Sequence, residues 1–130
     1  MSIYKEWKNF EDKIYTSKES KIKLLTLSLN QWQKHFEHSI QSSPEEASHW
    51  PILKQTKCHC GVLIKRARQQ QIFEENWLQE LNDVHDVMHA IANDLFKKYQ
   101  QGYVELARAG LLDLKAAIKK MTEVMERCEY

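Results

Sequence analysis

Soft and imidazole ligands are concentrated in two short stretches of this sequence, Cys58-His59-Cys60-Gly61 and His85-Asp86-Val87-Met88-His89. Thiolate and imidazole together are the donors that Zn²⁺ prefers, so the chemistry these residue types suit is metal binding. His85 and His89 lie four residues apart in a strongly helical pattern. That spacing sets their side chains about 40 degrees apart on one face, one turn from each other, where both rings can grip a single ion. A cysteine brought beside the pair would supply a third ligand. The competing reading is structural: unpaired cysteines also serve as small buried hydrophobes, and two histidines at this interval can be mere neighbours.

The same stretches offer little to a hydrolase. Asp86 lies between the histidines but points about 100 degrees away from His85, so no general base is within reach. His85-Asp86 is also the central dipeptide of HD-type phosphohydrolases, yet no preceding His and following Asp complete such a site. A hemerythrin-like di-iron bundle needs His-x-x-x-Glu, whereas His35 and His38 are followed at four by Ser39 and Ser42. The expectation is a protein that is not an enzyme.

The elements that must position these residues read as helices. Ile3, Trp7, Phe10 and Ile14 recur at helical spacing, which predicts a short helix over residues 2–15. Thr16-Ser17-Lys18-Glu19 reads as a capping box. Ile22, Leu25, Leu29, Trp32, Phe36 and Ile40 then form the core seam of a long helix ending near Gln41. Ser43-Pro44-Glu45-Glu46 marks another start, with proline in the first turn, and predicts a short helix that Pro51 ends. Residues 51–71 are the least regular, with a short helix around Val62 to Gln70 and the Cys-His-Cys-Gly stretch at its entry.

From Phe73 to Gln100 the helical signal is strong, with Trp77, Leu81, Val84, Met88, Ile91, Leu95 and Tyr99 as its seam. The histidine pair sits on the flank of that seam, facing a neighbouring helix. Gln101-Gly102 ends this helix. Val104, Ala107, Leu111, Leu114, Ile118, Met121, Met125 and Cys128 follow as a heptad pattern punctured only by Gly110. Three long helices of roughly 25 residues plus shorter ones point to an all-α fold, an antiparallel four-helix bundle with additional short helices packed at about 20 degrees.

Composition agrees with that architecture. Three glycines and two prolines are too few for a many-stranded β fold, and 130 residues suffice for one domain with a full core. Nineteen basic against eighteen acidic residues give a net charge of +1 with no basic stripe, which argues against nucleic acid. No apolar run reaches the length of a membrane span, and the N-terminus lacks a signal-peptide core. The expected location is the cytoplasm, where Cys58, Cys60 and Cys128 stay reduced and available to metal.

In their order along the chain, these residues resemble the chemoreceptor zinc-binding domain, a bacterial helical-bundle family. That family's pattern is a His three residues before a Trp on the first long helix, then Cys-x-x-Gly-x-Trp, then His-x-x-x-His on a later helix. Trp32 matches the first Trp, Cys58-His59-Cys60-Gly61 the Cys-x-x-Gly, and His85 to His89 the histidine pair. The likeness covers residues 22–126 and leaves 1–16 as an N-terminal extension.

The resemblance implies Zn²⁺ held by Cys58, His85 and His89, in a homodimeric module for zinc or redox sensing. Such a module acts on a chemoreceptor- or diguanylate-cyclase-type output, carried by a separate partner or by a longer parent chain. Two positions depart from the pattern. Leu29 stands where the first His ligand should be, and Leu63 stands in place of the second Trp. His35 and His38 lie about 240 and 180 degrees around the helix from Leu29 and read as surface residues. The fourth ligand is then water, Cys60 or His59, or the metal has been lost and only a bundle remains for dimerisation or protein docking.

Overall fold

The computed structural model of the protein describes residues 18–46 and 49–128. The helix expected over 2–15, and the Thr16-Ser17 start of the capping box, lie outside these residues. Five helices are present and no strand occurs among the described residues: α1 Lys18–Gln41, α2 His59–Gln70, α3 Glu75–Gln100, α4 Val104–Ala109 and α5 Leu111–Glu126. The fold is an all-α helical bundle.

The helices run up, down, up and down. Trp32 of α1 packs on His89 of α3, and Tyr99 reaches the Ser42 carbonyl, so these two helices run in the same direction. α2 runs against both, with Cys60 beside Leu25 and Arg68 paired with Glu75. The last layer returns along α3, with Gly110 against Leu95 at one end and Trp77 bonded to the Val124 carbonyl at the other.

Burial follows the sequence seams closely in α1, where Ile22, Leu25, Leu29, Trp32, Phe36 and Ile40 are all buried. In α3 the buried arc is wider. Leu78, Leu81, His85, Met88, Ala92, Leu95 and Tyr99 form a three-four seam of their own, while Trp77 and Ile91 are only half-buried. The centre of burial is thus turned by about 40 degrees toward His85 relative to the seam read from the sequence. The cause is that α3 packs against α2 on one side and α4–α5 on the other, so a single stripe does not cover its contacts.

The last helix is divided where the sequence predicted one continuous rod. At Gly110 the hydrogen bonds tighten, with its N–H donating to the Ala107 carbonyl at 3.1 Å and the Asp113 N–H returning to the Gly110 carbonyl at 3.1 Å. A Cβ at this position would lie 2.2 Å from Leu95 Cδ2. Gly110 therefore sets how closely α3 and the last layer approach. The heptad residues Ala107, Leu111, Leu114, Ile118, Met121 and Met125 are buried on both sides of the break.

The short helix expected from Ser43 is replaced by one turn, closed by the Glu46 N–H donating to the Ser43 carbonyl at 2.9 Å. Two constraints prevent a helix here. Carbonyls at the end of α1 and just past it are already taken, by Arg108 Nε on Ile40 at 2.8 Å and by the Tyr99 hydroxyl on Ser42 at 2.6 Å. Trp50, before Pro51, is also held out of helical geometry by its neighbour. Its ring instead wedges between Phe36, Phe96 and Tyr99 at centroid distances of 5.0–5.4 Å. From there residues 51–58 run as an irregular strap toward the start of α2. The strap and the short α2 together complete one layer of the bundle, and they meet beside His85 and His89.

Candidate metal centre

Cys58, His85 and His89 converge at that junction. The Cys58 Sγ and one nitrogen of each imidazole all lie within 4.8 Å of one another, and all three residues are buried. The histidines are 1% exposed and Cys58 is 2% exposed, so water does not satisfy their polar atoms. The Nε2 atoms of His85 and His89 have no hydrogen-bond partner at all. Buried polar groups are ordinarily paired, and an orphan costs about 1–3 kcal/mol. Two such atoms pointing at one thiol form a group that could hold a metal ion.

Local structure explains how each ligand is placed. His85 and His89 come from successive turns of α3, with ring centroids 4.5 Å apart and planes at 80°. His89 Nδ1 lies 2.8 Å from the Leu53 carbonyl. A carbonyl only accepts, so Nδ1 carries the proton and Nε2 presents a lone pair to the cluster. Asn93, one turn further along, donates to the same carbonyl at 3.0 Å and to the His89 carbonyl at 2.8 Å. Outer contacts of this kind hold a ligand's ring orientation and tautomer.

Cys58 stands just before α2 in extended geometry, φ −63° and ψ 145°, and its carbonyl accepts from Val62 N–H at 2.9 Å. The Cys60 thiol beside it holds Cys58 well down toward the thiolate. The two imidazoles act in the same direction, and burial opposes them. The same pairing, together with burial, pushes the Cys60 thiol up. A buried cysteine grouped with two buried imidazoles is a donor set suited to a soft or borderline dication.

The glycine of Cys-His-Cys-Gly has a steric reason. A Cβ on Gly61 would lie 1.9 Å from the Gln55 carbonyl oxygen and 3.3 Å from His85 Cε1. Only glycine lets the strap fold back across the start of α2 and bring His85 against it. Trp32 completes the wall, its ring 5.3 Å from that of His89 and its Nε1 donating to the Ile52 carbonyl at 2.8 Å. The strap is thus tied to α1 through Trp32 and to α3 through His89 and Asn93.

The other sequence candidates are placed as follows. Cys60 is fully buried beside Cys58 but outside the three-residue group, its thiol donating to the Leu25 carbonyl at 3.8 Å. His59 is exposed at the rim of a cavity of about 240 Å³ that also touches Cys58, Trp32 and Trp50. His35 and His38 are exposed, as expected. Leu29 is fully buried, on the α1 face between Leu25, which meets Cys60, and Trp32, which meets His89. Leu53 and Asn93 went unnoticed in the sequence. A carbonyl has no side-chain signature, and an Asn four residues after a His is common on helices. No protein-family model matches the chain, and no curated protein or solved structure does either.

Proposed function

We propose that the protein is a regulatory zinc-binding module, similar in its ligand order to chemoreceptor zinc-binding domains. One observation carries this reading: the pairing of a buried cysteine with two buried histidines whose Nε2 atoms have no other partner. Zinc would be held by Cys58, His85 and His89. When bound it would neutralise the thiolate and link the start of α2 to the middle of α3. Because the strap is already fastened to α1 at Trp32, gain or loss of this link changes how three layers of the bundle are tied together. Zinc availability, or oxidation of Cys58, would be the signal. A signalling partner of chemoreceptor or diguanylate-cyclase type, reached through a homodimer, is the readout in this proposal.

Thermal unfolding with and without a chelator tests it. Zinc at a hundredfold excess over its dissociation constant should add about 2.7 kcal/mol, a shift of roughly 10 °C for a chain of this size. Cys58→Ala should abolish the shift. Identical melting in both conditions refutes the zinc reading.

The second reading is a metal-free bundle for dimerisation or docking. Leu29 supports it, because the family's first ligand position is here filled by a fully buried leucine. The exposed Leu24, Leu27, Leu106 and Leu112 would then supply contact surface.

A further inference from the structure

Three protein ligands leave a buried dication one donor and one charge short. Zn²⁺ with one thiolate and two neutral imidazoles carries a net charge of +1. No carboxylate belongs to the cluster among the described residues. An uncompensated charge in a water-poor site is costly. A second anionic donor within reach would remove both deficits.

Cys60 is in that place. It is 0% exposed and two residues after Cys58, in the first turn of the helix that Cys58 caps. Its Sγ also lies 3.8 Å from the Leu25 carbonyl, on the α1 stretch that contains Leu29. It therefore occupies the side of the cluster from which a ligand at position 29 would have come. A change of one χ1 rotamer moves a cysteine sulfur by about 3 Å. The contact given up is a weak S–H···O interaction, and the Leu25 carbonyl keeps its intrahelical partner. His59, by contrast, is exposed on the cavity rim.

Resting on the zinc reading above, we infer that Cys60 is the fourth ligand, so that the site is Cys2His2 with both cysteines drawn from one Cys-x-Cys and Leu29 left as packing. On binding, the Cys60 S–H bond breaks, its proton leaves to solvent and the sulfur lone pair forms the Zn–S bond; no electron is transferred. The resulting site is electrically neutral, and its ligands come from the start of α2 and from α3 alone.

X-ray absorption at the zinc edge of the intact chain, loaded with one equivalent of Zn²⁺ in a thiol-free buffer, counts the ligands directly. The expected shell is two sulfurs near ~2.3 Å and two nitrogens near ~2.0 Å. Cys60→Ser should show one sulfur and lose affinity by more than about 100-fold against a competing chelator. One sulfur in the unaltered chain, with an oxygen or a third nitrogen in the fourth place, overturns the assignment of Cys60 and leaves the three-residue site standing. No zinc uptake by the unaltered chain overturns both. L29H in a Cys60→Ala background should recover affinity, with one sulfur and three nitrogens. If Cys60→Ala alone binds as tightly as the unaltered chain, the inference fails.

Discussion

Replacing His85 by leucine should stabilise the protein without metal and destabilise it with metal. The argument rests on the Nε2 atom, which is buried and has no hydrogen-bond partner. An orphan of this kind costs about 1–3 kcal/mol. Leucine is close to histidine in volume, and the position lies in the three-four seam of α3 beside Leu81 and Met88. The substitution therefore removes a polar penalty from an apolar stripe with little change in packing. We expect a gain of about 1–2 kcal/mol in chelator, or roughly 5 °C in melting temperature.

With zinc at a hundredfold excess over its dissociation constant, the unaltered chain gains about 2.7 kcal/mol and the variant gains almost none. The order of stability should then invert. Urea unfolding of both chains, each with chelator and with zinc, measures the four values needed, and an unchanged slope verifies that the same two states are compared. A variant less stable than the unaltered chain in chelator would refute the reasoning, because His85 would then be satisfied by the fold itself and not waiting for a ligand.

Three further predictions concern the surroundings of the site. Gly61→Ala should cost about 1–3 kcal/mol or more, because its Cβ would meet the Gln55 carbonyl oxygen at 1.9 Å; thermal melting in chelator measures this apart from metal loss, and an unchanged melt would contradict the steric account. Asn93→Ala should leave the helix content intact and weaken zinc binding about 10–100-fold, since Asn93 shares the Leu53 carbonyl with His89; unchanged affinity in a chelator competition would remove it from the site. Leu29→Ala should cost about 2–5 kcal/mol, as expected of a fully buried core side chain, while circular dichroism in chelator should still report a helical protein; a change of under ~0.5 kcal/mol in urea unfolding would mean that Leu29 contributes nothing to the core.

Helical periodicity made most of the bundle legible in advance. The α1 seam from Ile22 to Ile40 and the heptad from Ala107 to Met125 are buried as their spacing predicts. The errors arose where tertiary contacts outweigh local pattern. Pro44 carries a good helix-start signal, but Arg108 and Tyr99, both distant in sequence, hold the end of α1 and turn the chain away. Gly110 looked like a blemish beside a heptad and proved to be the point of close approach to Leu95. In α3 the pattern of hydrophobic residues placed the histidines on a flank, because counting only apolar residues excludes two imidazoles that are themselves part of the buried face.

At the site, the histidine pair singled out by type and spacing comes together with Cys58, the cysteine that the resemblance implies. The distance between Cys58 and the histidine pair along the chain gave no measure of how they meet. That depends on the strap, whose course is set by backbone carbonyls at Ile52 and Leu53. Carbonyls are carried by every residue, so nothing in the sequence marked these two. The glycine after Cys60 was visible as part of a motif, and its reason became physical only with the Gln55 carbonyl in view.

The most direct test of the central claim is the metal content of the purified chain. Elemental analysis, made after stripping with chelator and reloading with one equivalent of Zn²⁺, should give one zinc per chain, and His89→Ala carried through the same steps should retain almost none. A stripped and reloaded chain that holds no zinc, or a His89→Ala variant that holds as much as the unaltered protein, would contradict the assignment of Cys58, His85 and His89 as a metal site.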